Sequence, residues 1–173
     1  MEPILHFAIP FALATLLGLR FRWALLGGLF GLLPDFDVLA FIHRSWTHSL
    51  ILPLVILAVA LAVKNPKIRY PLLALSLGWS SHILLDFATW YTPLLWPLTQ
   101  DSYRLVFDWN IHWGSAPTTF LTLNVLQAPF IPESFTSMDA AFFTSEGFAI
   151  STVLIALAVS LARKPASKTT PKP

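Results

Sequence analysis

His82 and Asp86, in the run Ser81-His-Ile-Leu-Leu-Asp86, stand four residues apart, the spacing that puts two side chains on one helix face. An imidazole and a carboxylate so placed can share one cation. Asp35 and Asp37, in Leu33-Pro-Asp-Phe-Asp37, are two apart and diverge on a continuous helix. Pro34 disfavours such a helix, and a turn there aims both carboxylates inward. His43 and His48 are five apart; a break at Ser45-Trp46-Thr47, with Thr47 capping the next helix, brings both imidazoles to that helix's start. Arg44 then lies beside them, positioned to hold an anion. With His6, the candidate metal ligands are His6, Asp35, Asp37, His43, His48, His82 and Asp86. That is more than one four-coordinate ion requires, so two ions, or one ion with supporting residues, is expected. The chain has no cysteine, which excludes disulfides and thiolate zinc sites and leaves nitrogen and oxygen donors. Such donors suit zinc, manganese or iron, and zinc is the default for hydrolysis.

Each motif alone has an ordinary structural reading. A His-x-x-x-Asp pair is also a helix-surface bond, Leu-Pro-Asp is a helix stop, and an arginine can anchor at a membrane interface by snorkelling. Their convergence on one membrane face is what argues for a metal site, because ionisable groups at membrane depth cost several kcal/mol (about 2.5–3.5 each) unless they are partnered.

The elements that must position these residues are apolar. Of the 173 residues 55% are hydrophobic and 12% charged, with a mean hydropathy of +0.67, against roughly 25% charged in a soluble domain. Five apolar stretches, Pro3–Leu19, Phe21–Leu33, Ser49–Val63, Tyr70–Trp96 and Ala140–Ala162, predict an all-α polytopic bundle of about five spans. The second and third are short for a crossing of about 20 residues, and extend into or end at the depth of the Asp35–His48 region. One membrane-embedded domain over 1–163 is expected, with a polar, aromatic and proline-containing cap at 98–139 and a disordered basic tail at 164–173. A cleavable signal peptide is rejected for the first stretch because its flank carries Glu2 and no Lys or Arg.

Nine of the 11 basic residues fall in three groups, Arg20/Arg22, Lys64/Lys67/Arg69 and Arg163/Lys164/Lys168/Lys172, which five spans place on one side; Arg44 and Arg104 are the exceptions. By the positive-inside rule that side is cytoplasmic, with the N-terminus outside, the C-terminus inside and the histidines and aspartates at the outer face of a plasma membrane. Asp108 and His112, in the cap, share that face but are not expected to share the metal. The net charge of +2 gives no reason to expect nucleic acid.

Four motifs then carry a resemblance. Leu5-His6, Leu32-Leu-Pro-Asp-Phe-Asp37, His43-Arg-Ser-Trp-Thr-His-Ser-Leu50, and Gly78-Trp-Ser-Ser-His-Ile-Leu-Leu-Asp86 with Thr92-Pro-Leu-Leu-Trp-Pro97 resemble, in order and spacing, the YdjM-like family of membrane-bound metal-dependent hydrolases. The family pattern has Gly where this chain has Ser45. More loosely, the order His6, Asp35, His48, His82, Asp86 is similar to the zinc-dependent phospholipase C and single-strand nuclease superfamily, which implies these five as the surest ligands.

The resemblance implies hydrolysis. The expected reaction is cleavage of a phosphoester in a lipid or lipid-linked substrate, with Asp37 or Asp35 orienting the nucleophilic water and Arg44 binding phosphoryl oxygens. The competing expectation is a non-enzymatic membrane metal-binding protein, a carrier, sensor or assembly factor. The nearly polar-free runs Val55–Val63 and Ala149–Ala162 speak against a conducting path.

Overall fold

The computed structural model describes residues 2–136 and 144–162. Among them are five helices: α1 (Pro3–Leu16), α2 (Phe21–Phe30), α3 (Ile51–Ala62), α4 (Pro66–Thr89) and α5 (Ser145–Ala162). Two 3₁₀ turns, Pro34–Ala40 and Trp46–His48, lie between α2 and α3. Four strands complete the fold: β1 (Ile42–His43), β2 (Asp101–His112), β3 (Thr118–Pro129) and β4 (Glu133–Ser134).

The expected all-α bundle of about five spans is corrected on two counts. The cap is an antiparallel β2–β3 hairpin, paired from Asp101↔Pro129 to His112↔Thr118. Its runs are rich in aromatic and β-branched residues and flank Gly-Ser-Ala-Pro, a pattern that favours strands joined by a turn. Furthermore, among the described residues only three apolar segments are long enough to cross a membrane: Phe21–Ala40, Pro66–Thr89 and Ser145–Ala162. With 14 and 12 residues, α1 and α3 reach about 21 and 18 Å, short of a hydrocarbon core of about 30 Å. The first ends before Gly18, whose φ of +78° turns the chain back toward α2. The second stops ahead of Asn65-Pro66, where Asn65 caps α4 by accepting from the Lys67 amide at 3.0 Å. The tail expected to be disordered, 164–173, lies outside the described residues, as does the end of the cap at 137–139.

The helices alternate in direction despite their unequal lengths. Trp23 stacks on Tyr70 at one end of α2 and α4, and His82 meets Gly31 at the other, so these two run parallel. Antiparallel to α4 runs α3, with Ser76 Oγ donating to the Pro53 carbonyl at 2.8 Å and Trp79 Nε1 to the Thr47 carbonyl at 2.7 Å. The Glu2 carboxylate lies against Gly147, placing the starts of α1 and α5 together. One end of the molecule therefore gathers the start of α1, the end of α2, the start of α3 and the C-terminal half of α4.

Close approach depends on small residues, as expected where lipid supplies no hydrophobic drive between helices. Phe11, Ala12, Ala14, Ala24 and Ala158 form the buried cluster joining α1, α2 and α5. At the α1–α2 and α2–α4 crossings the need is absolute. A Cβ on Gly31 would strike the His6 carbonyl, and one on Gly78 the Gly27 carbonyl. Both crossings lie next to a candidate ligand, so these glycines set how near His6 and His82 come to each other.

Candidate metal centre

Each arm of the cluster is delivered by a different device. His6 sits in the second turn of α1 and His82 and Asp86 on one face of α4, all fully buried. The Pro34–Ala40 turn replaces a continuation of α2 and swings Asp35 and Asp37 toward them. His43 is held by β1, which pairs antiparallel with β4, and the Phe135 amide donates to the Phe41 carbonyl at 3.1 Å. His48 ends the second 3₁₀ turn.

The expected helix cap at Thr47 is corrected. Ser45 Oγ caps the short turn by accepting from the Thr47 amide at 3.5 Å, and α3 begins only at Ile51, whose amide donates to Ser49 Oγ at 3.2 Å. The Thr47 hydroxyl is used in the cluster instead. It stands 3.1 Å from Asp37 Oδ2, 3.1 Å from His48 Nδ1 and 3.2 Å from the Pro34 carbonyl.

Four donor atoms form a compact set. His48 Nε2 and His82 Nε2 are 3.2 Å apart. Asp86 Oδ2 is 3.3 Å from the first and 3.8 Å from the second, and Asp35 Oδ1 is 3.7 and 3.4 Å from them. Tetrahedral ligands at about 2.0–2.1 Å from an ion stand about 3.3–3.4 Å from one another. These five spacings, 3.2 to 3.8 Å, lie near those of one coordination sphere. His82 Nδ1 donates to the Gly31 carbonyl at 2.7 Å, which fixes the tautomer and leaves the Nε2 lone pair facing the set.

His6 stacks on His82 with ring centroids 3.9 Å apart, its Nε2 3.6 Å from Asp86 Oδ1 and its Nδ1 3.6 Å from Asp35 Oδ2. His43 Nδ1 lies 3.5 Å from Asp37 Oδ1 and 3.9 Å from Asp35 Oδ1. Asp37 backs His48: its Oδ2 accepts from the Ser45 amide at 2.9 Å and lies 3.4 Å from His48 Nδ1. All seven sequence-selected ligands thus converge, as does Arg44, whose Nε donates to Asp86 Oδ2 at 3.2 Å. Asp108 and His112 lie on the exposed hairpin instead. Sequence reading missed two contributors, the Thr47 hydroxyl and the Gly31 carbonyl. A hydroxyl directly before a candidate ligand could have flagged Thr47, whereas a main-chain acceptor leaves no residue-type signal.

Electrostatics and satisfaction both fit a cation. Three carboxylates against one guanidinium leave two negative charges among four imidazoles when these are neutral, the charge a divalent ion cancels. Both nitrogens of His6, Nδ1 of His43, and one oxygen each of Asp35, Asp37 and Asp86 are buried without a hydrogen-bond partner. Each such atom costs about 1–3 kcal/mol, and coordination is the bond a cluster of this chemistry lacks. Burial pushes the His48 imidazole toward neutrality, but hydrogen bonds to Asp35, Asp37 and Asp86 outweigh it and raise its pKa to about 10.

Beside the cluster opens a cavity of about 640 Å³, walled by Leu33, Phe36, Ile42, Trp46, Trp96 and Phe130, with Asp37, Ser45 and Thr47 on its polar side. Asp35 is the most exposed of the cluster carboxylates, with 22% of its side chain accessible.

Three segments of membrane-crossing length around buried imidazoles and carboxylates that could hold a metal ion define an integral membrane protein with a candidate metal centre among its helices. The chain belongs to the YdjM inner membrane protein family, whose model matches residues 1–166. No curated protein and no solved structure matches it. The looser likeness to the phospholipase C and nuclease superfamily finds no counterpart in these comparisons.

Proposed function

We propose that the protein is a membrane-bound metal-dependent hydrolase acting on a phosphoester of a lipid or lipid-linked substrate. The observation that carries this reading is a buried donor set at near-coordination spacing, ringed by unpartnered atoms of His6, His43, Asp35, Asp37 and Asp86, with a guanidinium on one side and an apolar cavity on the other. His48, His82, Asp35 and Asp86 would hold a divalent ion, zinc by default; two ions would instead divide the donors as His6, His82 and Asp86 on one side and Asp35, His43 and His48 on the other. When bound, such an ion supplies Lewis acidity and a water that ionises near neutral pH.

The chain's own groups do the rest. The cavity takes the hydrocarbon part of the substrate and excludes water. Arg44 binds phosphoryl oxygens and meets the charge that grows on them. Asp37 Oδ1, buried and free of hydrogen bonds, accepts a hydrogen bond from the attacking water and holds it in line. In balance, one water adds: its oxygen bonds to phosphorus, the ester P–O bond breaks, and a proton passes to the departing alkoxide.

The positive-inside rule supports an outward-facing site, because Arg20, Arg22 and Lys67 cluster at the opposite end of the helices. A metal carrier would need polar groups continuing from the cluster to that end. The buried residues between are mostly apolar, Phe11, Ala12, Ala14 and Ala24 among them, and the buried Ser76 hydroxyl on α4 is spent on the Pro53 carbonyl.

The test is metal analysis of the purified full chain, followed by turnover of phospholipid and lipid pyrophosphate panels before and after chelation. Stoichiometric metal is expected, with turnover lost on chelation and restored by added zinc or manganese. Bound metal without turnover of any ester would end the enzymatic reading and leave the site.

A further inference from the structure

At the end of the helices away from the cluster, a second cavity of about 420 Å³ opens between the α1–α2 turn and the start of α4. Arg20, Arg22 and Lys67 line it together with Trp23 and Tyr70. We propose that this cavity binds the phosphate of an anionic lipid headgroup. The proposal is independent of the hydrolase reading, since the two sites share no residue.

Cations converge on this cavity from two elements distant in sequence, and among the described residues none of the three forms an ion pair with a carboxylate. The sequence explains why. The nearest acid along α4 is Asp86, and Glu2 lies at the far end of α1. Asp86 is 19 residues beyond Lys67 in the numbering, about 28 Å along a helix. An uncompensated cluster of this kind attracts an anion from outside the chain.

Trp23 and Tyr70 stack with centroids 6.4 Å apart, and the Arg22 guanidinium lies 4.5 Å from the centre of the Trp23 ring. That contact places one cation against an aromatic wall, an arrangement that a bias toward basic loops does not by itself require.

Depth selects the source of the anion. With 24 residues, α4 is about 36 Å long, more than the hydrocarbon thickness of about 30 Å, so one end at least reaches the headgroup layer. Pro66, Lys67 and Tyr70 form its first turns, and Trp and Tyr are the residues that favour that layer. A phosphate arriving on a lipid is already at the right depth.

The experiment uses delipidated full-length protein in detergent, titrated with phosphatidylglycerol, phosphatidylcholine or inorganic phosphate and read by native mass spectrometry. Retained phosphatidylglycerol is expected, with little phosphatidylcholine. Arg22→Gln/Lys67→Gln removes two charge-assisted contacts to the phosphate and should weaken its retention about thirtyfold. Lys64→Gln/Arg69→Gln removes the same charge outside the cavity and should weaken it less than about threefold by long-range attraction alone.

Equal losses in the two double variants would reduce the effect to diffuse charge and overturn the site. Equal retention of phosphatidylcholine, or displacement of phosphatidylglycerol by millimolar inorganic phosphate, would overturn the lipid assignment. Should the cavity variant not fold, bromine-labelled phosphatidylglycerol provides the second measurement. Tryptophan quenching is expected in the wild type and should fall in Trp23→Phe; unchanged quenching in Trp23→Phe contradicts binding beside that ring.

Discussion

His48→Ala is expected to weaken divalent-cation binding by more than about 100-fold, beyond the 10–100-fold typical of losing a residue that only orients a ligand. Its imidazole touches more of the cluster than any other side chain, with His82 Nε2, Asp86 Oδ2 and Asp35 Oδ1 around Nε2 and Asp37 and Thr47 around Nδ1. Thr47→Val keeps the imidazole and removes only its hydroxyl neighbour, so its loss should fall within the 10–100-fold range. His112→Ala, on the exposed hairpin, should change nothing. Competition with a metal-indicating chelator, on protein shown by circular dichroism to be folded, measures all three. Full affinity in His48→Ala would remove the site as drawn.

The same assay carries a pH dependence whose sign follows from the cluster. With its pKa raised to about 10, His48 holds a proton at neutral pH, and a cation at Nε2 must displace a proton from the ring. Affinity should therefore rise as pH rises below that value, by about tenfold per unit for each proton released. A flat profile between pH 6 and 9 would mean that cation binding displaces no proton from His48.

Much of this site was legible because its ligands sit in motifs whose local geometry is nearly self-contained. The four-residue spacing of His82 and Asp86 fixes a shared helix face wherever α4 lies, and Pro34 forces a break wherever α2 ends. What could not be read is what depends on contact between distant segments. The Gly31 carbonyl becomes a partner of His82 only because Gly31 and Gly78 let α2 close on its neighbours. Thr47 looks like a helix cap until Ser45 takes that place and frees its hydroxyl for Asp37. The missed hairpin has a different cause. Its two strands carry apolar side chains on exposed faces, Phe107, Trp109, Phe120 and Leu123 among them, so no clean alternation marks a buried side. As for the spans, an apolar run records what a segment can lie in and not how far it reaches. Hence α1 and α3 read as crossings although Gly18 and Asn65-Pro66 end them early.

Arg44→Gln is expected to lower phosphoester turnover by about 10²–10³-fold, the usual effect of removing one donor aimed at developing charge, while leaving metal content unchanged. The guanidinium is tied to the cluster through a single oxygen: Nε donates to Asp86 Oδ2 at 3.2 Å. Its terminal nitrogens have no carboxylate partner among the described residues, so they remain available to an incoming anion. The backbone supports a positional role. Arg44 sits at φ +54°, a left-handed conformation that costs a non-glycine residue about 1–2 kcal/mol. The turn that imposes it, between β1 and the Ser45 cap, is also the one that puts His43 and His48 on the two sides of Asp37. Arg44→Lys keeps the charge but loses the planar fork, so it should recover only part of the rate, chiefly through KM. If Arg44 were only a partner for Asp86, Lys and Gln would instead differ in metal affinity and stability, and kcat measured at saturating metal would be the same for both.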